Sequence, residues 1–420
     1  METIVIIGGG FAGLNLVKRL DKDKYKMKLI DRNNFHCFPP LFYQIASCGL
    51  ASANICFPLR REFVKHRNVS YHMGHVKNID LSAKTVETSY EKIAYDKLVI
   101  AAGSTNNYFG MDDLGQTTFG IKTVAEACHT RDEILDRLER GAMCSDPARR
   151  RELLSFLVVG GGPSGVEIAG ALGEMKKYVI PKEYPELSPD DLRITLVEGT
   201  GKLLGAMREK SSAKALEYLK DLMVDVRLGV TLKEYKDKYA TFADGRKEYW
   251  ETLIWTAGVK GEPIPGIPAE CFQRGGRLNV DKFNRVIGLD DVMAVGDIAC
   301  MISEDYPKGH PQMAQPAIQQ ARNLAKNLNE ATFAHEFSYH DKGSMATIGK
   351  NRAVADLPGQ SFSGFIAWVA WMAIHLMSLL GMRNKTTVLL NWIWNYFTYS
   401  SSLRLLLRPT KFPVRRHWGD

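Results

Sequence analysis

The feature that most limits the fold of this chain is a short apolar strand followed by a glycine turn, and it occurs twice. Glycines fill the first, third and sixth positions of each turn: Gly8, Gly10 and Gly13 in one copy, Gly160, Gly162 and Gly165 in the other. In such a turn the first glycine permits a tight bend, the second lets backbone approach a pyrophosphate, and the third allows close helix packing. The pyrophosphate lies at the start of the following helix, where free N–H groups point at it. The sequence therefore predicts two dinucleotide sites.

Each turn is followed by a second strand that ends in an acid. Asp31 comes 18 residues after Gly13, close to the spacing expected for a carboxylate on a ribose hydroxyl. Glu198 comes 33 residues after Gly165, so the second crossover must hold a long helix and an extra loop. The alternative is a glycine turn that binds nothing. Strand, turn, helix and acid together favour a nucleotide site, more firmly for Asp31 than for Glu198.

A further repeat supports an internal duplication. Residues 95–103 resemble residues 250–258, and each segment is an apolar strand that ends in a small-residue turn. The two segments are 155 positions apart, against 152 for the glycine turns, which indicates two homologous modules. A chain of 420 residues is also too long for a single core.

Composition excludes several classes of protein. With 45% apolar and 24% charged residues the chain is globular, and its seven cysteines form no closely spaced pair, which argues against zinc and iron–sulfur sites and for reduced thiols. We therefore predict no metal site. The first strand begins at residue 4, so no signal peptide is expected. The net charge of +8 is concentrated after residue 361, which argues against nucleic-acid binding and for an anionic surface met by the C-terminus.

Four polar residues outside the turns are candidates for chemistry. Glu167, two residues after Gly165, is predicted in the first helical turn, either as a dipole-stabilised acid or as a proton-handling group. Gln315 and Gln319 are four apart and share a helix face, where two amides could bind one carbonyl ligand. Lys350 follows a short apolar strand and is either a solvated charge or a buried functional group. The apolar loop 35–46 is equally compatible with a packed connector and a ligand-lining wall.

Two glycine turns, a strand ending in Gly296-Asp297 and the run Ala314, Gln315, Ala317, Gln319 resemble the type II NADH:quinone oxidoreductases over essentially the whole chain. The resemblance implies non-covalent FAD in the first module and NADH as substrate in the second. It implies flavin contacts at Gly8, Gly10, Gly13, Asp31, Ala102, Gly103 and Asp297, with Phe11, Ala12 and Arg32 beside them. It implies NADH contacts at Gly160, Gly162, Gly165, Glu198 and Gly258. Gln315 and Gln319 would line a quinone site, with Glu167 as proton relay and Lys350 nearby.

The predicted fold is α/β, with two Rossmann-like domains and a C-terminal membrane-anchoring helical segment. We expect an FAD domain from 1–111 and 262–335, an NADH domain from 112–261 and a membrane-association region from 336–420. The expected reaction is NADH oxidation with two-electron quinone reduction and no proton pumping. Alternatives are a sulfide:quinone oxidoreductase, although no redox cysteine pair is evident, and an NADH-sensing flavoprotein without turnover. Glu198 predicts NADH over NADPH, because a carboxylate repels a 2′-phosphate.

The C-terminal region predicts contact with a membrane. Residues 361–382 carry no charged side chain, and residues 386–407 place Leu390, Ile393, Trp394 and Phe397 on one helical face. The first segment is long enough to span a bilayer, but aromatic residues and the bases that follow favour both segments lying in the interface. The expected partners are a lipid-dissolved quinone and an anionic membrane surface, on the cytoplasmic face of a bacterial inner membrane. Whether the chain forms a homodimer is left open by the sequence.

Overall fold

The computed structural model describes residues 1–399 and 401–406. Two parallel five-stranded sheets dominate it. The first sheet consists, from edge to edge, of Val292–Ala294, Lys97–Ile100, Glu2–Ile7, Tyr25–Asp31 and Val69–Met73. The second consists of Phe119–Gly120, Thr252–Trp255, Ser155–Val159, Arg193–Glu198 and Asp225–Leu228. The strand before each glycine turn lies at the centre, which confirms the α/β fold with two dinucleotide-binding modules.

Each module also carries an antiparallel three-stranded sheet. These sheets are Val76–Asp80, Thr85–Thr88 and Lys92–Ala94 in the first module, and Leu232–Lys236, Tyr239–Phe242 and Lys247–Tyr249 in the second. The strand Val69–Met73, which precedes the added sheet of the first module, pairs in parallel with Tyr25–Asp31 and forms the edge of the main sheet. Only its central residue, Tyr71, is buried and the other four are half-buried, which suits an edge strand.

Helices cover the sheets and build the remaining surfaces. The α-helices are Phe11–Val17, Phe42–Ala46, Ser52–Ile55, Leu59–Phe63, Leu114–Thr117, Val124–Met143, Pro147–Leu153, Pro163–Glu174, Ile180–Glu183, Glu209–Asp221, Ala314–Glu330, Phe365–Ser378 and Met382–Thr398. A π-helical turn, Met175–Val179, continues from the helix Pro163–Glu174. Short 3₁₀ turns occur at Pro39–Leu41, Pro189–Asp191, Ala269–Cys271 and Gly296–Ile298. Smaller strands are Phe35–Cys37 with Cys56–Pro58, and Phe272–Gln273, Arg277–Asn279 and Ala299–Cys300.

The chain passes between the modules along an antiparallel ribbon. Ser104–Asn106 leaves the first module and pairs with Val259–Gly261, which returns to it. The edge strand Val292–Ala294 then joins the first sheet, so this module is assembled from two separate parts of the sequence.

The C-terminal part forms a sheet and two helices against the second module. Its antiparallel strands are Ser344–Gly349, Arg352–Leu357 and Gln360–Ser363. The first of them lies directly on the helix Pro163–Glu174, because a Cβ at Gly170 would be only 2.3 Å from the Ile348 carbonyl oxygen. Trp371 and Val388, one from each C-terminal helix, are buried in the same core.

The C-terminal helices are shorter than the uncharged sequence suggested. Ser361 to Ser363 belong to a strand, and the first helix begins at Phe365. Among residues 1–399 and 401–406, no helix combines the length and apolar character needed to span a bilayer. The C-terminal bases expected to meet an anionic surface include Arg408, Lys411, Arg415 and Arg416, which lie outside the described residues.

Candidate functional site

The first glycine turn and Asp31 form one hydrogen-bonded unit. Asp31 ends its strand, and its carboxylate accepts the Gly9 N–H at 2.6 Å and the Asn33 N–H at 2.7 Å. Burial raises the pKa of this carboxyl, and both N–H donors oppose the rise. The Nδ1 atom of buried His36 lies 2.9 Å from the Gly9 carbonyl oxygen, so it carries the proton. The acid that the sequence singled out therefore lies directly against the turn.

The second glycine turn repeats this arrangement with Glu198. The Glu198 carboxylate accepts the Gly161 N–H at 2.6 Å and the Thr200 N–H at 2.7 Å. The long crossover between Gly165 and Glu198 has thus not displaced the acid from its turn. This turn has one further bond: the Thr256 hydroxyl donates to the carbonyl of Val159, the last residue of the strand before the turn, at 2.8 Å.

The first and third glycines of each turn are required by close backbone contacts. Gly8 and Gly160 have φ of +105° and +111°, a conformation that other residues rarely adopt. A Cβ at Gly13 would lie 1.9 Å from the Gly8 carbonyl oxygen, and one at Gly165 would lie 1.8 Å from that of Gly160. These four glycines therefore fix the backbone of the turns.

The middle glycine of each turn faces open space. A Cβ at Gly10 or Gly162 would meet no protein atom within 4 Å. Each is the N-cap of its helix, Phe11–Val17 or Pro163–Glu174, and neither N-cap makes a side-chain hydrogen bond. The N–H groups in the first turn of each helix, apart from Pro163, which has none, are thus available to an anion, as a pyrophosphate site requires.

Asp297 belongs to a polar group that joins the two modules. Its carboxylate accepts the Ser104 hydroxyl at 2.5 Å. Lys122 donates to the Ser104 hydroxyl at 2.8 Å and lies 3.8 Å from the Asp297 carboxylate. The sequence indicated Asp297 but not Ser104 or Lys122, because neither residue forms part of a recognisable motif.

The residues that flank the first turn differ in their surroundings. The ring of Phe11 meets His36 edge-on at 5.5 Å, and Ala12 is buried. Arg32 is exposed and forms an ion pair with Glu262 at 2.9 Å. Phe11 and Ala12 thus support the turn, whereas the Arg32 guanidinium lies at the surface.

The small residues at the ends of the third strands also lie beside the turns. A Cβ at Gly8 would approach Ala102 Cα to 3.2 Å, and Gly103, with φ of +78°, faces open space. In the second module, a Cβ at Gly258 would lie 2.8 Å from the exposed ring of Phe109. A side chain at position 258 would thus displace the Phe109 ring.

A cleft opens where the apolar loop, the helix Pro163–Glu174, the C-terminal sheet and the last two helices meet. The loop contributes Tyr43 and Gln44, so it is a cleft wall as well as a connector. Gln44 donates to the Tyr43 hydroxyl and accepts the Trp392 indole N–H, both at 2.8 Å. The bond from Trp392 joins the first module to the last C-terminal helix across the cleft.

Glu167 lies in the inner wall of this cleft. It is the fifth residue of its helix, so the prediction that it occupies the first turn is wrong, and a dipole-stabilised helix start no longer explains it. Its side chain is only 8% exposed, and burial raises its pKa well above the usual range. The Thr347 backbone N–H donates to it and partly opposes this rise. Glu167 is thus held in a form that readily carries a proton.

Glu174 is a second carboxyl in the same cleft, and the sequence analysis missed it. It ends the helix that carries Glu167 and accepts the Lys350 backbone N–H at 2.7 Å. Burial raises its pKa to about 6, against the opposing effects of this bond and of the Arg352 and Lys350 charges. The seven-residue spacing from Glu167 was the only signal for it.

The Lys350 side chain lies in an aromatic corner of the cleft. Its Nζ atom is 4.2 Å from the Tyr396 ring centroid and 4.4 Å from that of Tyr399, and it also donates to the Tyr396 carbonyl. Lys350 is therefore more than a solvated surface charge.

Gln315 and Gln319 share a helix face, as predicted, but their amides bind protein backbone. Gln315 donates to the Gly343 carbonyl at 2.9 Å and accepts the Lys342 N–H at 3.2 Å. Gln319 donates to the His340 carbonyl at 2.9 Å and accepts its N–H at 3.0 Å. Neither residue is brought to the cleft with Glu167 and Lys350.

Aromatic rings connect the first glycine turn to the cleft. The ring centroids of Phe11 and Phe38 are 5.7 Å apart, and those of Phe38 and His375 are 5.9 Å apart. His375 stacks on Trp371 at 4.0 Å, and burial lowers the His375 pKa to about 4. Trp371 lines the cleft, and its buried indole N–H has no acceptor among the described residues.

The outer face of the C-terminal helices is apolar and exposed. Its large side chains are Phe365, Ile366, Val369, Ile374, Met377, Met382, Leu389, Leu390, Ile393, Trp394 and Phe397. Phe397 is 77% exposed and Leu390 60%. Trp392 and Asn395 point the other way, toward the cleft. Such a contiguous apolar face indicates contact with a membrane or another protein.

Comparisons with known proteins agree with this geometry. The pyridine nucleotide-disulphide oxidoreductase family matches residues 2–321, and the NDH2 C-terminal domain matches residues 341–399. The chain is 35% identical over 407 residues to the type II NADH:quinone oxidoreductase Ndh of Mycobacterium tuberculosis, which covers 93% of this chain and 87% of that protein. The chain belongs to the type II NADH:quinone oxidoreductases.

A second M. tuberculosis type II oxidoreductase, NdhA, is 34% identical over 93% of this chain and 86% of its own. The Plasmodium falciparum NDH2 structure solved with NADH has the same fold, with a TM-score of 0.88 at 21% identity, and covers 97% of this chain and 100% of its own. The sulfide:quinone oxidoreductase of Aquifex aeolicus shares the fold less closely, with a TM-score of 0.73 at 20% identity over 92% of both chains.

In this type II oxidoreductase, Cys37 and Cys56 are cross-strand partners that sequence spacing concealed. Both are free thiols, and burial raises the pKa of each to about 12. A thiol so far from ionisation is a poor nucleophile, so this pair does not suit sulfide chemistry.

Proposed function

We infer that this chain oxidises NADH and transfers two electrons to a quinone through bound FAD, without pumping protons. Its membership of the type II oxidoreductases carries this conclusion, together with two glycine turns and a separate cleft in one chain. FAD supplies a centre that accepts a hydride from NADH and releases electrons to the quinone. The protein must hold both nucleotides, align them and supply protons to the acceptor.

We propose that the first turn holds FAD and the second holds NADH. The open space at Gly10, the uncapped helix behind it and the position of Asp31 fit the pyrophosphate and a ribose of FAD. Gly162 and Glu198 offer the same features to NADH. The corresponding domains are 1–111 with 262–335 for FAD, and 112–261 for NADH.

The other predicted contacts follow from this assignment. Asp297 would bind a hydroxyl of the FAD chain, and the Ser104 and Lys122 bonds would orient its carboxylate. Phe11, Ala12, Ala102 and Gly103 would shape the first site from positions beside its turn. Arg32 would lie at the exposed rim of the FAD site, and Gly258 would lie beside NADH.

The quinone would bind in the cleft. Aromatic walls, Trp371 among them, suit its ring, and Glu167 would supply a proton. Lys350 would add a positive charge near the reduced oxygen. The series of rings Phe11, Phe38, His375 and Trp371 supports this proposal, because it connects the first glycine turn to the cleft.

Gln315 and Gln319 would serve this site by positioning its wall. Their amides bind the backbone of residues 340–343. Their contact with quinone stays a prediction. That segment leads directly into the strand Ser344–Gly349, which brings Thr347 to Glu167 and Lys350 to the cleft. By holding the segment before this strand, Gln315 and Gln319 would help to fix the positions of Thr347 and Lys350.

The region 336–420 would attach the enzyme to a membrane through the exposed face of its helices. A quinone dissolved in lipid could then enter the cleft directly, since Trp368 and Trp392 of the same helices line it. We propose the cytoplasmic face of a bacterial inner membrane, with Arg408, Lys411, Arg415 and Arg416 on anionic lipid. A homodimer is compatible with this attachment but not required by it.

Anaerobic stopped-flow absorbance tests the function. We expect NADH to bleach the flavin and a subsequent addition of menaquinone or ubiquinone to restore its colour. Bleaching by NADH without reoxidation by either quinone would favour an NADH-sensing flavoprotein. Bleaching by sulfide would favour a sulfide:quinone oxidoreductase.

A further inference from the structure

We propose that Glu174 is the outer of two proton-carrying carboxyls in the cleft, which takes a proton from water and passes it through the cleft toward Glu167 and the quinone. The inference rests on the proposed function and deepens its second half-reaction. NADH, one proton and quinone give NAD⁺ and quinol. Two O–H bonds form, and two electrons and one proton equivalent come from the NADH hydride. The remaining proton must come from solution.

Helix geometry places the two carboxyls in series. Glu167 and Glu174 are seven residues apart on the helix Pro163–Glu174, so they share one face at about 10 Å along its axis. Both line the cleft. Glu167 is buried, whereas Glu174, at the end of the helix, keeps more exposed surface, so a proton from water would reach Glu174 first. A buried donor that must be reprotonated in each turnover needs such an intermediate.

The surroundings of Glu174 form a built site. Its Oε1 atom accepts the Lys350 N–H at 2.7 Å, and a Cβ at Gly349 would lie 3.0 Å from that oxygen, so the strand lies closely on the carboxyl. The helix changes to a π-helical turn directly after it, a distortion common at functional sites.

Charged and titratable groups face Glu174 from each neighbouring element. Lys350 and Arg352 come from the C-terminal sheet, Tyr399 from the end of the last helix and Tyr43 from the apolar loop. The two bases favour the carboxylate, yet burial outweighs them and the pKa is about 6. A group that titrates near neutral pH can both take up and release a proton during turnover.

The substitution Glu174→Gln tests the proposal in the membrane-bound or detergent-solubilised holoenzyme. The amide keeps an oxygen for the Lys350 N–H but cannot carry a proton. We expect quinone-dependent kcat to fall about 10-fold or more, with a larger solvent deuterium isotope effect. The rates of flavin reduction by NADH and of electron transfer to ferricyanide, which takes no proton, should not change. Glu174→Asp should restore part of the rate, and Glu186→Gln, which removes an exposed carboxylate, should behave as wild type.

An unchanged isotope effect in Glu174→Gln, or equal losses with quinone and ferricyanide, would overturn the relay and assign Glu174 a structural role. Infrared titration of the wild-type holoenzyme covers the case in which the variant does not fold. A protonated-carboxyl band that disappears near pH 6 and shifts in Glu174→Asp is expected, and its absence contradicts the proposal. If wild-type enzyme reduces ferricyanide but no quinone, the proposed function fails instead.

Discussion

Glu198 accepts the Gly161 backbone N–H at 2.6 Å, the same length at which Asp31 accepts that of Gly9. Both bonds join the second glycine of a Gly-Gly-Gly run to the acid that ends the next strand. The duplicated modules therefore retain a common unit of turn and carboxylate, although one acid is longer by a methylene group. Because of this symmetry, a substitution in one module has a matched control in the other.

Glu198→Gln should weaken the preference for NADH. A neutral amide loses a charge-assisted bond to the ribose hydroxyl and no longer repels a 2′-phosphate. We expect kcat/KM to fall about 10-fold for NADH and to rise for NADPH, as measured by steady-state kinetics with ferricyanide. Glu217→Gln, which removes an exposed carboxylate of the same module, should leave the ratio unchanged. If Glu198→Gln leaves the ratio of kcat/KM for NADH to that for NADPH unchanged, Glu198 does not contact the nucleotide.

Gly10→Ala and Gly162→Ala should separate the two nucleotides. Neither Cβ would meet a protein atom within 4 Å, and the φ values of −73° and −71° suit alanine, so both variants should fold. If each methyl group enters the space of a pyrophosphate, the first variant should lose bound FAD. The second should keep FAD, and its KM for NADH should rise about 10-fold or more.

The measurements for this pair are flavin absorbance per chain and NADH kinetics. Gly13→Ala is the contrasting variant, since its Cβ would lie 1.9 Å from the Gly8 carbonyl oxygen and should lower the unfolding temperature. Loss of FAD from Gly162→Ala alone would reverse the assignment of the modules.

Replacing Ile366, Leu390 and Phe397 by Gln should detach the enzyme from membranes while leaving it folded. All three side chains are at least 60% exposed, so the core does not depend on them. Transfer of each to lipid contributes about 1.5 kcal/mol or more, and about 4.5 kcal/mol for all three, which predicts a fall in vesicle binding of about 1000-fold or more. Flotation with vesicles that contain anionic lipid measures this effect.

The membrane variant should still reduce a short-chain, water-soluble quinone but should lose activity with a long-chain quinone in vesicles. Truncation at Ser361 is a less specific experiment, because it also removes Trp371 and Trp392 from the cleft wall. Undiminished flotation of the triple variant would show that this face does not contact lipid.

Glu174→Gln should stabilise the protein at pH 8. The folded carboxyl has a pKa of about 6 against 4.5 when unfolded, so folding takes up protons and the free energy of unfolding falls as pH rises through that interval. Removing the charge should therefore raise the free energy of unfolding by about 1 kcal/mol at pH 8, after allowance for partial exposure, and by little at pH 4.

Thermal unfolding of the holoenzyme at the two pH values measures this difference. Glu186→Gln is the exposed control and should show no such pH dependence. A destabilised Glu174→Gln at pH 8 would mean that the bond from Lys350 and the neighbouring bases outweigh burial.

Sequence reasoning succeeded where a function depends on local backbone. Gly8, Gly10 and Gly13 with Asp31 form a unit whose spacing is fixed by strand and helix geometry, and both copies could be predicted. It could not identify the contacts that join distant segments. Gln315 has amide groups suited to a ligand, but only the fold shows that residues 342 and 343 occupy them.

Glu174 illustrates the same limit for the cleft. Its raised pKa arises from burial under Gly349 and Lys350, which are far away in sequence. An acid at the end of an apolar helix is otherwise indistinguishable from a solvated one. Lys122 was missed for the same reason, since its partners Ser104 and Asp297 come from another module.

The ribbon formed by Ser104–Asn106 and Val259–Gly261 has a consequence for biosynthesis. All five strands of the second sheet lie between residues 119 and 255, so that half can fold as soon as this stretch has left the ribosome. The first sheet must wait for Val292–Ala294, although its other strands are made earlier. The half that begins the chain is thus completed last. A nascent polypeptide arrested when Trp255 has emerged from the ribosome but Val292 has not should therefore resist protease in its second module while its first module is still cleaved.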